Sequence, residues 1–253
     1  MTTLTDDRTL TDRALAASAD RVLATARAMD RPHLEDEDLV VVHQGERGFF
    51  TNVAYVMGEP DWDGVLARVA TVVPDACPVS LLAAGTVPDL SERGWVHVGR
   101  PPLMVRPVGR SDEVGPAELR IEPASDRSGL EVFERTLVDS YPDPSLQPYR
   151  WGSVHDERVL GGRTRYFVGT VDGRPVATAS GHVAAGINVV EMVATVPEER
   201  HRGYGAALTR AATLVDPDLP AALIASDLGR PVYEALGYVA VSRWTFWHRP
   251  APE

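Results

Sequence analysis

The chain predicts a mixed α/β fold, an α+β mixed sheet flanked by helices, laid out as two tandem halves. Three observations lead there. Strand-like and helix-like segments alternate from end to end, the order expected of sheets covered by helices. Two β-rich runs flank Asp172-Gly173, the dipeptide that suits the tight turn of a twisted hairpin. The segment 88–107, PDLSERGWVHVGRPPLMVRP, returns at 231–250 as PVYEALGYVAVSRWTFWHRP. At a constant offset of 143 the pairs Pro88/Pro231, Gly94/Gly237, Val96/Val239, Val98/Val241, Arg100/Arg243, Arg106/Arg249 and Pro107/Pro250 are identical, and Trp95 faces Tyr238. A second match, ARVATVV at 67–73 over TRAATLV at 209–215, lies at an offset of 142 and in the same order. A glycine- and charge-rich stretch, residues 108–118, joins the halves and sets domains at 1–112 and 113–253.

The elements follow in order. Leu15, Val22, Ala26 and Met29 share one face of a helix over residues 12–29. Strands are expected at 39–43 and 48–57, a helix at 64–73, a strand at 78–83, a short helix at 89–93 and a strand at 95–106. The second half predicts a strand at 118–123, a helix at 126–139 and an irregular stretch rich in proline and aromatics. The hairpin follows, then a strand at 188–196, a helix at 205–215, a strand at 222–226, a helix at 231–236 and a strand at 238–247.

Composition narrows the function. The 253 residues carry 44% hydrophobic and 24% charged side chains, a soluble globular balance. No apolar run approaches the roughly 18 residues of a membrane span, and the N-terminal sequence lacks a signal-type apolar core. One cysteine, Cys77, excludes an intrachain disulfide and a cysteine-cluster metal site, so a cytoplasmic location is expected. A formal net charge of −11 argues against nucleic acid as partner, because duplex binding needs a basic face.

Against that acidity stands EMVATVPEERHRGYGAALTRAA, residues 191–212, where Arg200, His201 and Arg202 precede Gly203 and Gly205 at a strand-to-helix corner. A helix N-terminus exposes amide donors and a positive dipole end, and glycine lets a ligand approach them. An ordinary glycine turn with solvated arginines fits the same letters. Two known phosphate loops do not: there is no Gly-Lys-Ser/Thr triplet, and Leu208 stands where a dinucleotide fingerprint needs glycine or alanine.

The segment Arg200-His201-Arg202-Gly203-Tyr204-Gly205, after a strand and before Ala206, resembles the acyl-CoA motif Gln/Arg-x-x-Gly-x-Gly/Ala of the GNAT superfamily of N-acyltransferases. Downstream, SDLGRPVYEALGY at 226–238 resembles that family's Asn-x-x-Ala-x-x-x-Tyr segment, with Ser226 for the asparagine, Gly229 for the alanine, Tyr238 for a phenylalanine, and Tyr233 matching. The likeness covers about residues 117–250. It implies two tandem GNAT-like domains, the first a degenerate copy, and acetyl-CoA as acyl donor. It further implies that backbone groups of Val193, Ala194 and Thr195 pair with the pantetheine arm. Amides from His201 to Ala206 would hold the diphosphate with Arg200 and Arg202 beside them, Ser226 would flank the donor, and Tyr233 would be the general acid.

Glu191, on the same strand face as Val193 and Thr195, is the first candidate base; His155, Asp156 and His182 stay open as alternatives. Asp139, Tyr141, Tyr149 and Trp151 are expected to shape the acceptor site, with Arg150 as a further candidate. In the first half MGEPDWDG, residues 57–64, replaces the corner with Glu59, Asp61 and Asp63, and Leu90 stands opposite Tyr233. The expected function is transfer of an acetyl group from acetyl-CoA to a primary amine of a small molecule, in a ternary complex. A non-catalytic acyl-CoA-binding or ligand-sequestering module is the alternative. The chain is expected to act as a monomer or homodimer without metal or membrane.

Overall fold

The computed structural model describes residues 7–45, 48, 50–109, 115–141 and 146–252. Residues 110–114, the centre of the expected joint between halves, lie outside the described residues.

The elements run α1 (Asp7–Ala28), β1 (His33–Glu35), β2 (Leu39–Val42), β3 (Val53–Val56), α2 (Trp62–Val72), β4 (Val79–Ala83), β5 (Val96–Gly99), β6 (Pro102–Arg106) and β7 (Arg120–Pro123). They continue with α3 (Arg127–Ser140), β8 (Thr164–Val171), β9 (Arg174–Ala184), β10 (Ile187–Thr195), α4 (Tyr204–Thr213), β11 (Ala221–Ile224), α5 (Arg230–Ala235), β12 (Val239–Arg243) and β13 (Thr245–Arg249). The β8–β9 hairpin turns at Asp172 and Gly173, both at positive φ (50° and 74°), as its sequence requires.

Two mixed sheets result, flanked by helices, as the sequence predicts. One has the order β1-β2-β3-β4-β13-β5 and the other β12-β6-β11-β10-β9-β8-β7. The sheets trade strands: β6 pairs with β11 and β12 of the second sheet, while β13 pairs with β4 and β5 of the first. The repeat read from the sequence coincides with this exchange, because β5–β6 and β12–β13 are the two matched segments. Each was expected as one continuous strand. Pro101, which cannot donate to a ladder, and Trp244, which bonds back to the Pro101 carbonyl, instead mark the crossing points. Two repeated arginines fasten the crossings. Arg106 donates to the Leu236 carbonyl (3.1 Å), and Arg249 to those of Val73 and Pro74 (3.2 and 3.1 Å). The sheets therefore do not divide where the chain was expected to divide, at 112/113; each is completed from the other side of that position.

Helix α1 lies between the sheets, against β2 and β3 on one side and β9 and β10 on the other. That position explains its composition. Ala14, Leu15, Ala17, Ala19, Val22, Leu23 and Ala26 are all buried and cover more than one stripe, as a helix packed against both sheets requires. Elsewhere the packing is close enough to dictate residue type. A Cβ at Gly181 on β9 would stand 2.5 Å from the Ala212 carbonyl of α4, so this position admits only glycine.

Candidate active site

The corner begins in strand β10. It pairs antiparallel with β9, but the register slips between Glu191 and Ala194, and Met192 adopts a positive φ of 55°. This is a β-bulge in a residue type that disfavours that conformation, held by the Thr178 hydroxyl donating to the Met192 carbonyl (2.9 Å). On its other side β10 runs parallel to β11 for only two pairs, Asn188 with Ala221 and Val189 with Ala222. Beyond Val190 the two strands part. Val196 N–H bonds the Val176 carbonyl of β9, and main-chain direction alternates along a strand. Ala194 therefore also faces β9, while the amides of Val193 and Thr195 face the opening. Of the three backbone positions expected at the donor arm, Val193 and Thr195 thus face the opening and Ala194 does not.

At the end of β10 the chain turns through Pro197–Glu199 into α4. His201 and Gly203 take left-handed backbone (φ 64° and 82°), and Gly203 caps the helix without any side-chain hydrogen bond. The first amides of α4 keep their unshared donors, as a helix start does where no side chain covers it. A Cβ on Gly205 would meet Thr195 Oγ1 at 3.1 Å, so bare backbone is what fits there. The arginines do more than supply charge. Arg200 donates from Nε to the Thr195 carbonyl and from Nη2 to the Ser140 carbonyl (both 3.1 Å), tying β10, the corner and α3 together. Arg202 is exposed and pairs with Glu199 at 3.2 Å. Tyr204 points inward, buried, with its hydroxyl donating to Glu118 (3.0 Å). An exposed diphosphate would meet amides, Arg202 and little else, and a cradle of unshared N–H groups is what such a group needs. The residues present fit an acyl-CoA donor.

The opposite bank carries Ser226 and Tyr233. Ser226 Oγ accepts from the Gly229 amide (3.1 Å) and so starts the turn into α5. Tyr233 stacks edge-on against Tyr238 (centroids 6.2 Å apart). Burial, and then the nearby Tyr141, push its phenol up to about 12, so it stays protonated through neutral pH.

Between the banks the opening widens into a chamber of about 800 Å³, within the range of small-molecule sites. Glu191, Val193, Ser226 and Tyr233 line it, together with residues that sequence reasoning did not single out: Arg21, Tyr55, Phe50, Trp244 and Phe246. Arg21 comes from α1 and pairs with Glu191 across the wall. Burial is the largest influence on the Arg21 charge and opposes it, but Glu191 together with Tyr55 and Tyr166 holds the guanidinium above its ordinary value. Nothing in the sequence set Arg21 apart from the other charged residues of its helix, Asp12, Arg13, Asp20 and Arg27 among them.

The expected acceptor residues scatter. Tyr141 lines the chamber, edge-on to Phe50 at 6.1 Å, with its phenol pushed up by desolvation and by Glu191. Asp139 is exposed on α3, where its carboxylate accepts from Gln147 (3.4 Å). Tyr149 donates to the buried Glu134 (3.0 Å) and lies under Arg135, while Trp151 packs under Arg127. Neither ring lines the chamber; both brace the loop behind it. That loop hangs on Glu134, whose carboxylate accepts the amides of Gly152, Val154 and His155 at 3.1, 2.6 and 3.1 Å. The loop's exposed Arg150 is likewise absent from the chamber's lining.

The three alternative bases are each held by neighbouring groups. His155 lines the chamber, buried between Phe133 and Tyr166, and burial drives its imidazole down to about 3. His182 is clamped by Thr164 and Asp20 (2.9 and 2.8 Å), and burial again lowers it. Asp156 caps the short turn 157–159 and holds Arg158. Among the described residues there is no group of three metal-ligating side chains, and no helix is long and apolar enough to cross a membrane.

The architecture has known counterparts. A GCN5-related N-acetyltransferase from Kribbella flavida superposes with a TM-score of 0.62 at 21% identity, over 92% of this chain and 96% of that one. A putative GNAT-family acetyltransferase from Novosphingobium aromaticivorans gives 0.58 at 17% identity, covering 95% and 96%. A GCN5-related N-acetyltransferase from Sphaerobacter thermophilus gives 0.53 at 15%, covering 96% and 94%. No family model matches the sequence, and no curated protein does. The fold is that of the GNAT N-acetyltransferases over nearly the whole chain.

Proposed function

We propose that the protein is an acyl-CoA-dependent N-acyltransferase that acetylates a primary amine on a small molecule held in the chamber. One observation carries this reading: two parallel strands that part after two residue pairs, opening on one side to an uncapped helix start and on the other to Tyr233. The amides of Val193 and Thr195 face the donor's arm, and those from His201 to Ala206 face its diphosphate, with Arg202 adding charge. Arg200 acts by holding the corner in shape.

Acetyl-CoA, when bound, supplies an activated thioester whose carbon–sulfur bond is exchanged for a carbon–nitrogen bond. Glu191 faces the acceptor's ammonium and takes its first proton, directly or through water, leaving a neutral nucleophile. The chamber holds the amine beside the thioester, and that positioning supplies much of the acceleration. Tyr233 keeps a proton at its phenol oxygen for the departing sulfur. Moving that proton from a phenol near 12 to a thiolate whose conjugate acid is near 8.5 is uphill by roughly 5 kcal/mol. Tyr233 therefore gives its proton only as the amine's second N–H proton reaches it, and the net yield is amide, free thiol and one proton.

In this reading residues 113–253, completed by β6, form the catalytic unit, and residues 1–112 form a degenerate copy that binds no donor. A monomer or homodimer working in the cytoplasm fits the exchanged strands and the single cysteine. The test is thiol release from acetyl-CoA across a panel of small amines, with calorimetric titration of CoA. One CoA per chain with turnover on some amine is expected. CoA binding without turnover on any amine would leave a sequestering module, and no CoA binding would remove the reading.

A further inference from the structure

The class of acceptor is written in the chamber's charges. Its walls are apolar and aromatic, with Phe50, Tyr55, Tyr141, Trp244 and Phe246 among them, and they come from both sheets. Arg100, Asp227 and Arg243 also line it and are exposed, where water screens their charge; among its less exposed residues the protein sets one ion pair, Arg21 with Glu191, whose side chains retain 12% and 22% of their exposure. Both line the chamber, so that residual exposure is toward whatever fills it. The pair is neutral as a whole. Nε of Arg21 faces Glu191 Oε2, the guanidinium also hydrogen-bonds Tyr55, and Arg21 lines the chamber.

Charge balance then discriminates between ligands. A simple amine entering as an ammonium would place one unmatched positive charge beside an already balanced, largely buried pair. Uncompensated buried charge is heavily penalised. A ligand with one positive and one negative group a few bonds apart meets both members at once: its ammonium lies against Glu191, and its carboxylate takes the planar fork of Arg21, which suits a carboxylate better than any other side chain does. Polyamines and aminoglycoside-like sugars, with several cationic groups, match neither the balance nor the walls.

We propose, resting on the acyltransferase reading above, that the acceptor is a zwitterionic α-amino acid with an apolar side chain, its carboxylate held by Arg21 and its ammonium by Glu191. Arg21 is thereby a specificity-determining residue contributed by the helix at the start of the chain to a reaction centre in the second half.

The test uses the full chain and three probes: L-phenylalanine, phenethylamine, which lacks the carboxylate, and 3-phenylpropionate, which lacks the amine. In calorimetric titrations without CoA, phenylalanine should bind at least tenfold more tightly than either partial ligand. Equal binding of phenethylamine would overturn the proposal. In Arg21→Gln, phenylalanine should fall to the affinity of phenethylamine while phenethylamine changes little; a uniform loss for all three probes would count against the assignment. Should that variant not fold, the three-probe comparison on the unaltered protein decides alone. Thiol-release assays separate the two readings. Turnover of phenethylamine with a kcat/KM equal to that of phenylalanine would sink the amino-acid class and leave acyl transfer standing. Selective phenylalanine binding with no thiol release from any amine would sink acyl transfer and leave the chamber assignment.

Discussion

Two parallel strand–helix–strand units occur in the molecule, one closely paired and one parted. In the first sheet β3 and β4 run parallel and stay paired for four residues, Val53 with Ser80 through Val56 with Ala83. In the second, β10 and β11 keep only two such pairs. The helix after β3 begins at Asp61, whose carboxylate accepts the Asp63 and Gly64 amides (3.3 and 3.2 Å). The helix after β10 begins at Gly203, which has no side chain to cap the first amides. Leu90, fully buried, stands in the first half where the second has Tyr233. The difference teaches that the site is made of omissions from regular structure. A bulge at Met192 parts the strands, and a missing cap leaves donors free. Supplying one aspartate and four ladder pairs seals the same layout.

The comparison can be broken most severely at Gly203. Gly203→Glu puts a charged side chain on left-handed backbone at the helix start and should weaken CoA binding by about a hundredfold or more, roughly 3 kcal/mol. Titration calorimetry reads it, and retained affinity would mean that the two helix starts are alike. A second difference concerns acid. The open half hides His155, whose folded value near 3 lies below its unfolded value near 6.5. Its contribution is therefore whole above pH 6.5 and is lost as the pH falls toward 3, by about 3 kcal/mol at pH 4. Chemical denaturation at pH 7 and pH 4 should show His155→Phe losing correspondingly less than the parent; equal losses would refute the burial argument.

Tyr233→Phe should reduce turnover by more than about tenfold with CoA affinity within twofold. Because the phenol titrates near 12, the parent's pH–rate profile should show no falling limb below pH 10. An unchanged rate would make Tyr233 no more important than Leu90. The smallest effect belongs to the sealed corner. Asp61→Ala removes a cap and should lower stability by about 1 kcal/mol, without creating a second CoA site. Two CoA per chain would show that the cap alone had closed it.

Much of this was legible in the letters. The hairpin at Asp172-Gly173, the glycine corner and the helix starts follow from local rules, since each depends on a few adjacent residues. The repeat even marked the strands that cross. What could not be read is which sheet a strand joins. Residues 102–106 and 245–249 are short apolar runs whose periodicity is satisfied by any partner, so the exchange is a tertiary choice. The chamber was half-legible for the same reason. Glu191 and Tyr233 lie in recognisable context, whereas Arg21 sits some 170 residues before its ion-pair partner. Asp139, Tyr149 and Trp151 looked like an acceptor wall because they lie close in sequence to Tyr141. The turn of α3 carries Asp139 to solvent, and Glu134 gathers the following loop around itself instead.

The traded strands also set an order of events during synthesis. Strand β13 fills the place between β4 and β5, so the layer made mostly from early residues has a gap until residues 245–249 have left the ribosome. The nascent chain cannot finish its first half first, as a string of independent domains would. It must hold exposed sheet edges until the last strand arrives, and then both layers close together.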